Sequence, residues 1–313
     1  MKRPPKFLYA TKWEAAAVKP LTGDASPRRY FRLREGDATA ILMDASRVLE
    51  IVAPFIQVNL HLQKLGFSVP DILAHDDKND FLLLEDFGDE TFAHLLEHNF
   101  EPERLFTLAT DVLIALHKNP DAVPKDLRPY HPHKMLKDVE LFLEWHPVSE
   151  KGKEEFRTVW LDVLPLAHQV PVTLLLRDYH VANLMLLPGR EGIRRAGLLD
   201  FQDAYQGPVT YDLISLLEDA RRDLPPGLKE KMLAHYISHF PNLGRKTFET
   251  SLAILAALRH TRVLAVFEKL SREGKADYKK LHSPRVERLL QEALRHPALA
   301  GMKHWFDRYA RQD

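Results

Sequence analysis

The sequence predicts an α+β fold with two lobes, a β-rich N-lobe followed by an α-rich C-lobe. Short β-prone runs separated by turn residues fill the first third of the chain, and from residue 91 onward apolar residues recur at helical spacing. The 313 residues are enough for two hydrophobic cores. We therefore expect an N-lobe at residues 1–85 and a C-lobe at residues 86–313, divided where the strand pattern gives way to the helix pattern.

The composition excludes several classes of protein. A hydrophobic share of 45% with 28% charged residues is ordinary for a globular chain and argues against disorder. Lys and Arg together number 44, as do Asp and Glu, so no overall positive charge favours a nucleic acid or an anionic membrane as partner. The absence of cysteine excludes disulfides and thiolate metal sites. We expect a cytoplasmic protein, a monomer or weak dimer, without a membrane or nucleic-acid partner.

The N-lobe pattern predicts a five-stranded unit with one helix. The helix is expected at residues 54–65, with Pro54 suited to its first turn and Gly66 to its C-terminal cap. A polar turn at residues 34–37 predicts a hairpin between the first two β-prone runs. The β-prone runs lie at residues 30–33, 39–43, 72–74 and 81–84.

The C-lobe pattern predicts helices interrupted by three extended runs. The apolar periodicity places helices at residues 103–117, 134–145, 154–168, 211–218, 229–239, 247–270 and 284–294. The extended runs lie at residues 172–176, 184–187 and 196–199.

Polar residues follow two of these extended runs. Asp178 and Asn183 lie five residues apart between two apolar runs, and Asp200 ends the third run. This is the order of the catalytic loop and the metal-binding aspartate in kinases. The pattern predicts that Asp178 is the catalytic base and that Asn183 and Asp200 bind Mg²⁺.

The chemistry of phosphoryl transfer calls for this set of residues. Its transition state spreads charge over peripheral oxygens, so catalysis needs a carboxylate to orient the acceptor hydroxyl and hard oxygen ligands for Mg²⁺. Each of the three residues alone would more often be a turn or cap residue. Their fixed order beside apolar strands favours a protein-kinase-like fold and an ATP-dependent kinase of a small molecule.

The chain resembles the aminoglycoside phosphotransferase superfamily in residues 199–204 (Leu-Asp-Phe-Gln-Asp-Ala) and 211–213 (Tyr-Asp-Leu). Within it, the chain is most similar to the anomeric sugar kinases of bacterial cell-wall recycling. The segments that carry this second resemblance are residues 23–26, 28–33, 42–45, 82–84, 219–223, 274–275 and 284–285. The resemblance implies transfer from ATP to the anomeric hydroxyl of N-acetylmuramate or N-acetylglucosamine, giving a sugar 1-phosphate.

The third N-lobe strand departs from ordinary kinases, because Met43 stands about where a lysine binds the α- and β-phosphates. The nearest candidate cations are Arg28, Arg29 and Arg32, of which we expect one to bind phosphate and two to lie on a solvated strand face. The predicted nucleotide-binding residues are Gly23, Ser26, Arg28, Arg32, Glu85 and Phe87. Glu85 and Phe87 are expected to contact adenine through main-chain groups.

The acceptor site is predicted from the resemblance and from polar residues near the catalytic motifs. Arg177, His180, Asp203 and Arg221 are the predicted substrate-binding residues, although Arg221 also fits a helix-surface cation near a C-terminus. Asp212 is expected to be structural. Two alternatives stay open: a kinase of another acceptor such as an aminoglycoside, choline or a protein serine, and a pseudokinase that binds nucleotide without chemistry.

Overall fold

A computed structural model of the chain describes residues 4–21, 28–48 and 51–310. The chain divides into two compact units, Met1–Phe100 with Ala182–Asp203, and Glu101–Val181 with Ala204–Asp313. The predicted N-lobe falls within the first unit, which also takes up a later segment. The boundary drawn at residue 85 stays a prediction.

The first unit contains a five-stranded antiparallel sheet in the order β1-β2-β3-β5-β4. Its elements are β1 (Ala17–Leu21), β2 (Arg29–Glu35), β3 (Ala38–Asp44), α1 (Val52–Lys64), β4 (Ile72–Asp76), β5 (Phe81–Glu85) and α2 (Phe92–Glu97). Alternate residues of the β2–β3 hairpin, among them Leu33 and Leu42, are fully buried. The predicted hairpin and the five-stranded unit are thereby confirmed.

The strand β1 lies outside the β-prone runs. It contains Pro20, which cannot donate a hydrogen bond to a neighbouring strand and is confined to sheet edges. β1 is such an edge, pairs only with β2 among the described residues, and has no buried residue. A single exposed edge strand interrupted by proline gives little alternation for sequence analysis to detect.

The later segment of the first unit is a second, two-stranded sheet, β7 (Leu184–Leu186) with β8 (Ala196–Leu198). The amide of Leu198 donates to the Ser68 carbonyl at 2.8 Å, which fixes this sheet beside the end of α1. Phe201, which is fully buried, stacks on Phe55 of α1 with ring centroids 5.0 Å apart. Asp200 lies between these two anchors, directly before Phe201.

The second unit is mainly helical. Its elements are α3 (Pro102–Lys118), α4 (Pro132–Trp145), α5 (Glu150–Ala167), β6 (Val172–Leu175), β9 (Tyr205–Pro208), α6 (Thr210–Leu217), α7 (Leu228–Ser238), α8 (Arg245–Arg272), α9 (Ala276–Ala293) and α10 (Ala300–Tyr309). The central helix α8 buries residues along most of its length. Ser251 of α8 shares a hydrogen bond with Thr210 of α6 at 2.6 Å and donates to the Ala167 carbonyl of α5 at 2.8 Å.

The observed architecture confirms the predicted α+β fold with a β-rich N-terminal and a helical C-terminal part. All predicted helices occur, with shifted ends. The helix expected to begin at Pro284 begins at Ala276 instead, and Pro284 lies inside it. Packing against α8 outweighs the backbone hydrogen bond that this proline cannot make. The helices α2 and α10 were not predicted.

The helix α8 is long and apolar enough to cross a membrane by length and composition alone. However, 67% of its most apolar window is buried inside the protein. A buried apolar helix of this kind is typical of a protein core.

Candidate active site

The first unit holds Asp200 in a fixed position at the end of β8. Asp200 has a left-handed backbone conformation (φ 59°), which turns its side chain away from the buried strand. Two side chains contact its carboxylate besides an arginine: Gln202 donates to Oδ1 at 2.9 Å, and Asn183 Nδ2 lies 3.5 Å from Oδ2. The structure thus brings the two predicted metal ligands together.

The residues around Asp200 fit a hard divalent cation. Asp200 offers a carboxylate, and Asn183 offers a carboxamide oxygen once the terminal amide is turned over. The side-chain oxygen of Gln202 is buried and has no hydrogen-bond partner among the residues that the structure describes. Buried oxygen atoms without a donor are suited to a cation or its water ligands.

Arg28 forms an ion pair with Asp200. Its side chain is 8% exposed. Burial lowers the pKa of this guanidinium, but Tyr30 and Asp200 more than offset that effect and raise the pKa above its ordinary value. Arg28 is therefore a permanent cation next to the predicted metal ligand. Met43, at the position of the missing lysine, is completely buried in the sheet.

The three candidate phosphate-binding arginines have separate partners. Arg29 pairs with the buried carboxylate of Asp44. Arg32 pairs with Asp86 at 2.7 Å and with Asp89 at 2.9 Å, and so braces the segment after β5. Arg28 is the one of the three that contacts Asp200, and the nucleotide role of Arg32 stays a prediction.

Glu85 and Phe87 lie in the segment where adenine contacts were predicted. The Glu85 side chain accepts from Arg190 at 2.8 Å. The Phe87 ring packs so closely on Gly197 that a Cβ there would lie 2.8 Å from it. Their side chains are thus engaged within the first unit, which is consistent with recognition through main-chain groups. Gly23 and Ser26 lie outside the described residues.

The second unit carries Asp178, which follows β6 on the predicted catalytic loop. Asp212 of α6 accepts from the amides of Leu176 at 2.6 Å and Arg177 at 2.9 Å. Burial raises the pKa of Asp212 to about 7, although these two donors and Arg259 oppose the rise. These bonds hold Arg177 in a left-handed conformation (φ 69°), which an arginine rarely adopts. Asp212 is therefore structural, as expected from the sequence.

The Arg177 side chain is enclosed by aromatic rings. It is 5% exposed, and its guanidinium lies 4.5 Å from the ring centre of Tyr130 and 5.0 Å from that of Tyr205. It also pairs with Asp138 at 3.2 Å. A guanidinium held by these partners positions the loop, and its predicted role in binding substrate directly stays a prediction.

Asp178 is surrounded by positive charge. Burial raises the pKa of its carboxyl group, but Arg262 and Arg259 of α8 outweigh that effect and bring the pKa below its ordinary value. Arg177 acts in the same direction, as does His180 when its imidazole is protonated. Asp178 is consequently ionised at neutral pH and able to accept a proton.

The remaining predicted substrate residues lie in different environments. His180 is buried, and burial lowers its pKa, so that the imidazole is neutral at pH 7. Arg221 is exposed, and its amide donates to the buried Asp219 at 2.9 Å. Both Asp219 and Arg221 act electrostatically on His180 in the second unit. Asp203 is exposed and belongs to the first unit.

Sequence analysis did not identify Arg259 and Arg262. Both lie within the helix predicted at residues 247–270, to which no functional role was assigned. The available signal was two arginines three residues apart between strongly apolar stretches, since buried guanidinium groups rarely serve packing alone.

Comparisons with known proteins agree with this geometry. A family model described as "Phosphotransferase enzyme family" matches residues 17–246. Two curated relatives are both named N-acetylmuramate/N-acetylglucosamine kinase. The protein from Caulobacter vibrioides is 32% identical, with 97% of this chain and 94% of the relative covered, and that from Pseudomonas aeruginosa is 34% identical, with 95% and 91% covered.

Solved structures show the same fold at low sequence identity. A choline/ethanolamine kinase family protein from Mesorhizobium loti has a TM-score of 0.64 at 14% identity and covers 96% of this chain and 95% of its own. A choline kinase from Streptococcus pneumoniae has a TM-score of 0.64 at 16% identity, with 88% and 93% covered. From the family match and the relatives, the chain belongs to the phosphotransferase enzyme family.

Proposed function

We propose that the protein is an ATP-dependent sugar kinase that phosphorylates the anomeric hydroxyl of N-acetylmuramate and N-acetylglucosamine. The observation that carries this proposal is the similarity, over nearly the whole chain, to two relatives named for these two sugars. The product would be a sugar 1-phosphate, formed in the cytoplasm during recycling of cell-wall sugars. The monomer or weak dimer predicted from the sequence belongs to the same proposal.

Asp178 is the proposed base. The acceptor oxygen attacks the γ-phosphorus, the bond between that phosphorus and the oxygen of ADP breaks, and the hydroxyl proton moves to the Asp178 carboxylate. An anomeric hydroxyl is more acidic than an ordinary alcohol, so a carboxylate with a lowered pKa can accept its proton late in a loose transition state. The cations of α8 keep this carboxylate ionised before the reaction.

Asp200 and Asn183 are the proposed Mg²⁺ ligands. Mg²⁺ would neutralise the charge that develops on the β- and γ-phosphates. Arg28 is the proposed replacement for the lysine absent at Met43, because it is buried, permanently charged and in contact with Asp200.

The remaining residues complete the proposal. Gly23, Ser26 and Arg32 would cover the nucleotide, and the main chain at Glu85 and Phe87 would bind adenine. The neutral imidazole of His180 can exchange hydrogen bonds with sugar hydroxyl groups, as can the side chains of Asp203 and Arg221. Arg177 is proposed to orient the loop that carries Asp178.

The alternatives are less well supported. Polycationic acceptors such as aminoglycosides call for an acidic site, whereas the predicted base lies among arginines. A pseudokinase has no need for an ionised base or for a carboxylate and a carboxamide within 3.5 Å of each other.

The test is ADP release with N-acetylmuramate, N-acetylglucosamine, glucose, kanamycin and choline, followed by phosphorus NMR of the product. We expect turnover with the two N-acetylated sugars and a phosphate coupled to the anomeric proton. The methyl glycoside of N-acetylglucosamine, whose anomeric oxygen is blocked, should not react. Turnover of this glycoside, or a phosphate on the 6-position, would contradict the proposal.

A further inference from the structure

The helix α8 buries an arginine that forms no ion pair with any residue that the structure describes. Arg259 is only 6% exposed and lies between Leu258 and His260, which are also buried. Within the described ranges 4–21, 28–48 and 51–310, neither Arg259 nor Arg262 forms an ion pair or a side-chain hydrogen bond. The carboxylates of Asp178 and Asp212 interact with Arg259 electrostatically, but neither accepts a hydrogen bond from it. A buried guanidinium whose hydrogen bonds are not satisfied is costly, which calls for a reason outside packing.

Other buried groups of the second unit show how the chain normally satisfies charge. Arg177, which is as buried as Arg259, is paired with Asp138 and enclosed by tyrosine rings. His260, the next residue after Arg259, lies 2.5 Å from the carboxylate of Glu218. The lack of an ion pair for Arg259 therefore distinguishes it from Arg177 and His260.

The two arginines lie on one side of α8. They are three residues apart, a spacing that places side chains next to each other on a helix. Both act on the carboxylate of Asp178, and Arg259 also acts on His180. The arginine pair therefore lies on the side of the second unit that carries the proposed base.

We propose that Arg259 and Arg262 form an anion site for the acceptor, which binds the carboxylate of the lactyl group of N-acetylmuramate. This inference rests on the proposed function. N-acetylmuramate differs from N-acetylglucosamine by a lactyl ether two ring carbons from the anomeric carbon. When the anomeric hydroxyl lies at Asp178, this substituent lies nearby, and arginine binds a carboxylate through two parallel hydrogen bonds.

The same site also accounts for a neutral substrate. N-acetylglucosamine needs no anion site, so it would gain no binding energy from the two arginines, although their effect on the pKa of Asp178 serves both sugars. The arginines are thus expected to determine preference between the two sugars, whereas Asp178 serves both.

The experiment compares Arg259→Met with wild type on both sugars. We expect the KM for N-acetylmuramate to rise about tenfold to a hundredfold, the range for a lost charged hydrogen bond in a buried site. The KM for N-acetylglucosamine and the KM for ATP should change less than about twofold. Because Arg259 also lowers the pKa of Asp178, kcat is expected to fall equally with both sugars, so the ratio of the two sugar KM values is the readout. Arg259→Lys should raise the KM for N-acetylmuramate less, because lysine keeps the positive charge although it cannot form the two parallel hydrogen bonds.

Two measurements separate this site from a structural role. Thermal unfolding of Arg259→Met should show an unchanged or raised Tm, because methionine removes a buried unpaired charge at similar volume. A lowered Tm with equal losses on both sugars would make Arg259 structural. The matched control is Arg245→Gln on the same helix, where the arginine is exposed and paired with Glu249 at 2.8 Å; it should change no constant.

The remaining outcomes are also decisive. A raised KM for ATP with both sugars would assign the bound anion to a phosphate of the nucleotide and overturn the inference. Calorimetric titration of each sugar tests binding independently of turnover. If the wild type bound and phosphorylated both sugars but Arg259→Met raised the two sugar KM values equally, or neither, only the anion site would be wrong. If the wild type bound neither sugar, the proposed function would be wrong as well.

Discussion

The anchoring of the catalytic loop by Asp212 gives a prediction whose size follows from the geometry. Asp212→Ala removes the acceptor of two buried amides, those of Leu176 and Arg177. A buried donor left without a partner costs about 1–3 kcal/mol, so the pair costs about 2–6 kcal/mol in the free energy of unfolding. For a unit of this size we expect Tm to fall by on the order of 10 °C.

The loss of these two hydrogen bonds should also lower catalytic activity. The two bonds hold Arg177 at a positive φ that costs an arginine about 1–2 kcal/mol, so the loop is expected to relax without them and kcat to fall together with Tm. Asp212→Asn keeps one oxygen acceptor and should give an intermediate loss.

The assay is thermal unfolding followed by circular dichroism, with kcat measured well below Tm. Both are measured at pH 8, above the raised pKa of Asp212, so that the wild-type acceptor is a carboxylate. A Tm within about 2 °C of wild type for Asp212→Ala would show that the two amides find other partners, and the argument for loop anchoring would then fail.

Further predictions concern the chemistry itself. Asp178→Asn should lower kcat by about 10²- to 10⁴-fold with nearly unchanged affinity for ATP, and activity within threefold of wild type, by kinetics, would exclude it as base. Asp200→Ala should abolish Mg²⁺-dependent binding of ATP in calorimetry, whereas retained affinity would assign the metal to another acid. Arg28→Met should raise the KM for ATP by more than tenfold, and Arg32→Met by much less; the reverse order would exchange their roles. Arg262→Gln removes the foremost cation that lowers the pKa of Asp178, so the fall in kcat/KM for N-acetylglucosamine on acidification should begin at a higher pH than in wild type, which a pH profile between 4 and 8 would detect.

Much of the fold could be predicted because its signals are local. Strand β2 alternates buried Phe31 and Leu33 with a partly buried residue, β3 is a compact apolar run, and α3 and α4 have wide apolar faces. These local patterns are enough to locate the four elements. Strand β1, with its proline and its exposed edge, has no such period. Apolar periodicity predicted the start of α9 at Pro284, whereas contacts with α8 extend the helix by more than two turns before it.

Sequence analysis predicted the catalytic and metal-binding motifs of the candidate site but not the residues that surround them. Asn183 and Asp200 were recognised from their order along the chain, and the structure brings their side chains together. The distinct partners of Arg28 and Arg32 depend on which strand face each occupies and on distant carboxylates, so sequence could not separate them. Arg259 acts on Asp178 across some eighty residues of chain, a relation that only tertiary structure creates.

The ion pair between Arg28 and Asp200 has a consequence for the order in which ligands bind. Without nucleotide, the aspartate is already neutralised by a guanidinium, so a free metal ion would have to displace a buried cation from it. The magnesium complex of ATP brings a cation for Asp200 and phosphate anions for Arg28 at the same time. Each of the two side chains then exchanges one oppositely charged partner for another. The enzyme should therefore be nearly indifferent to magnesium alone and respond to it only as the nucleotide complex, so that the resting protein is not held in a metal-loaded state.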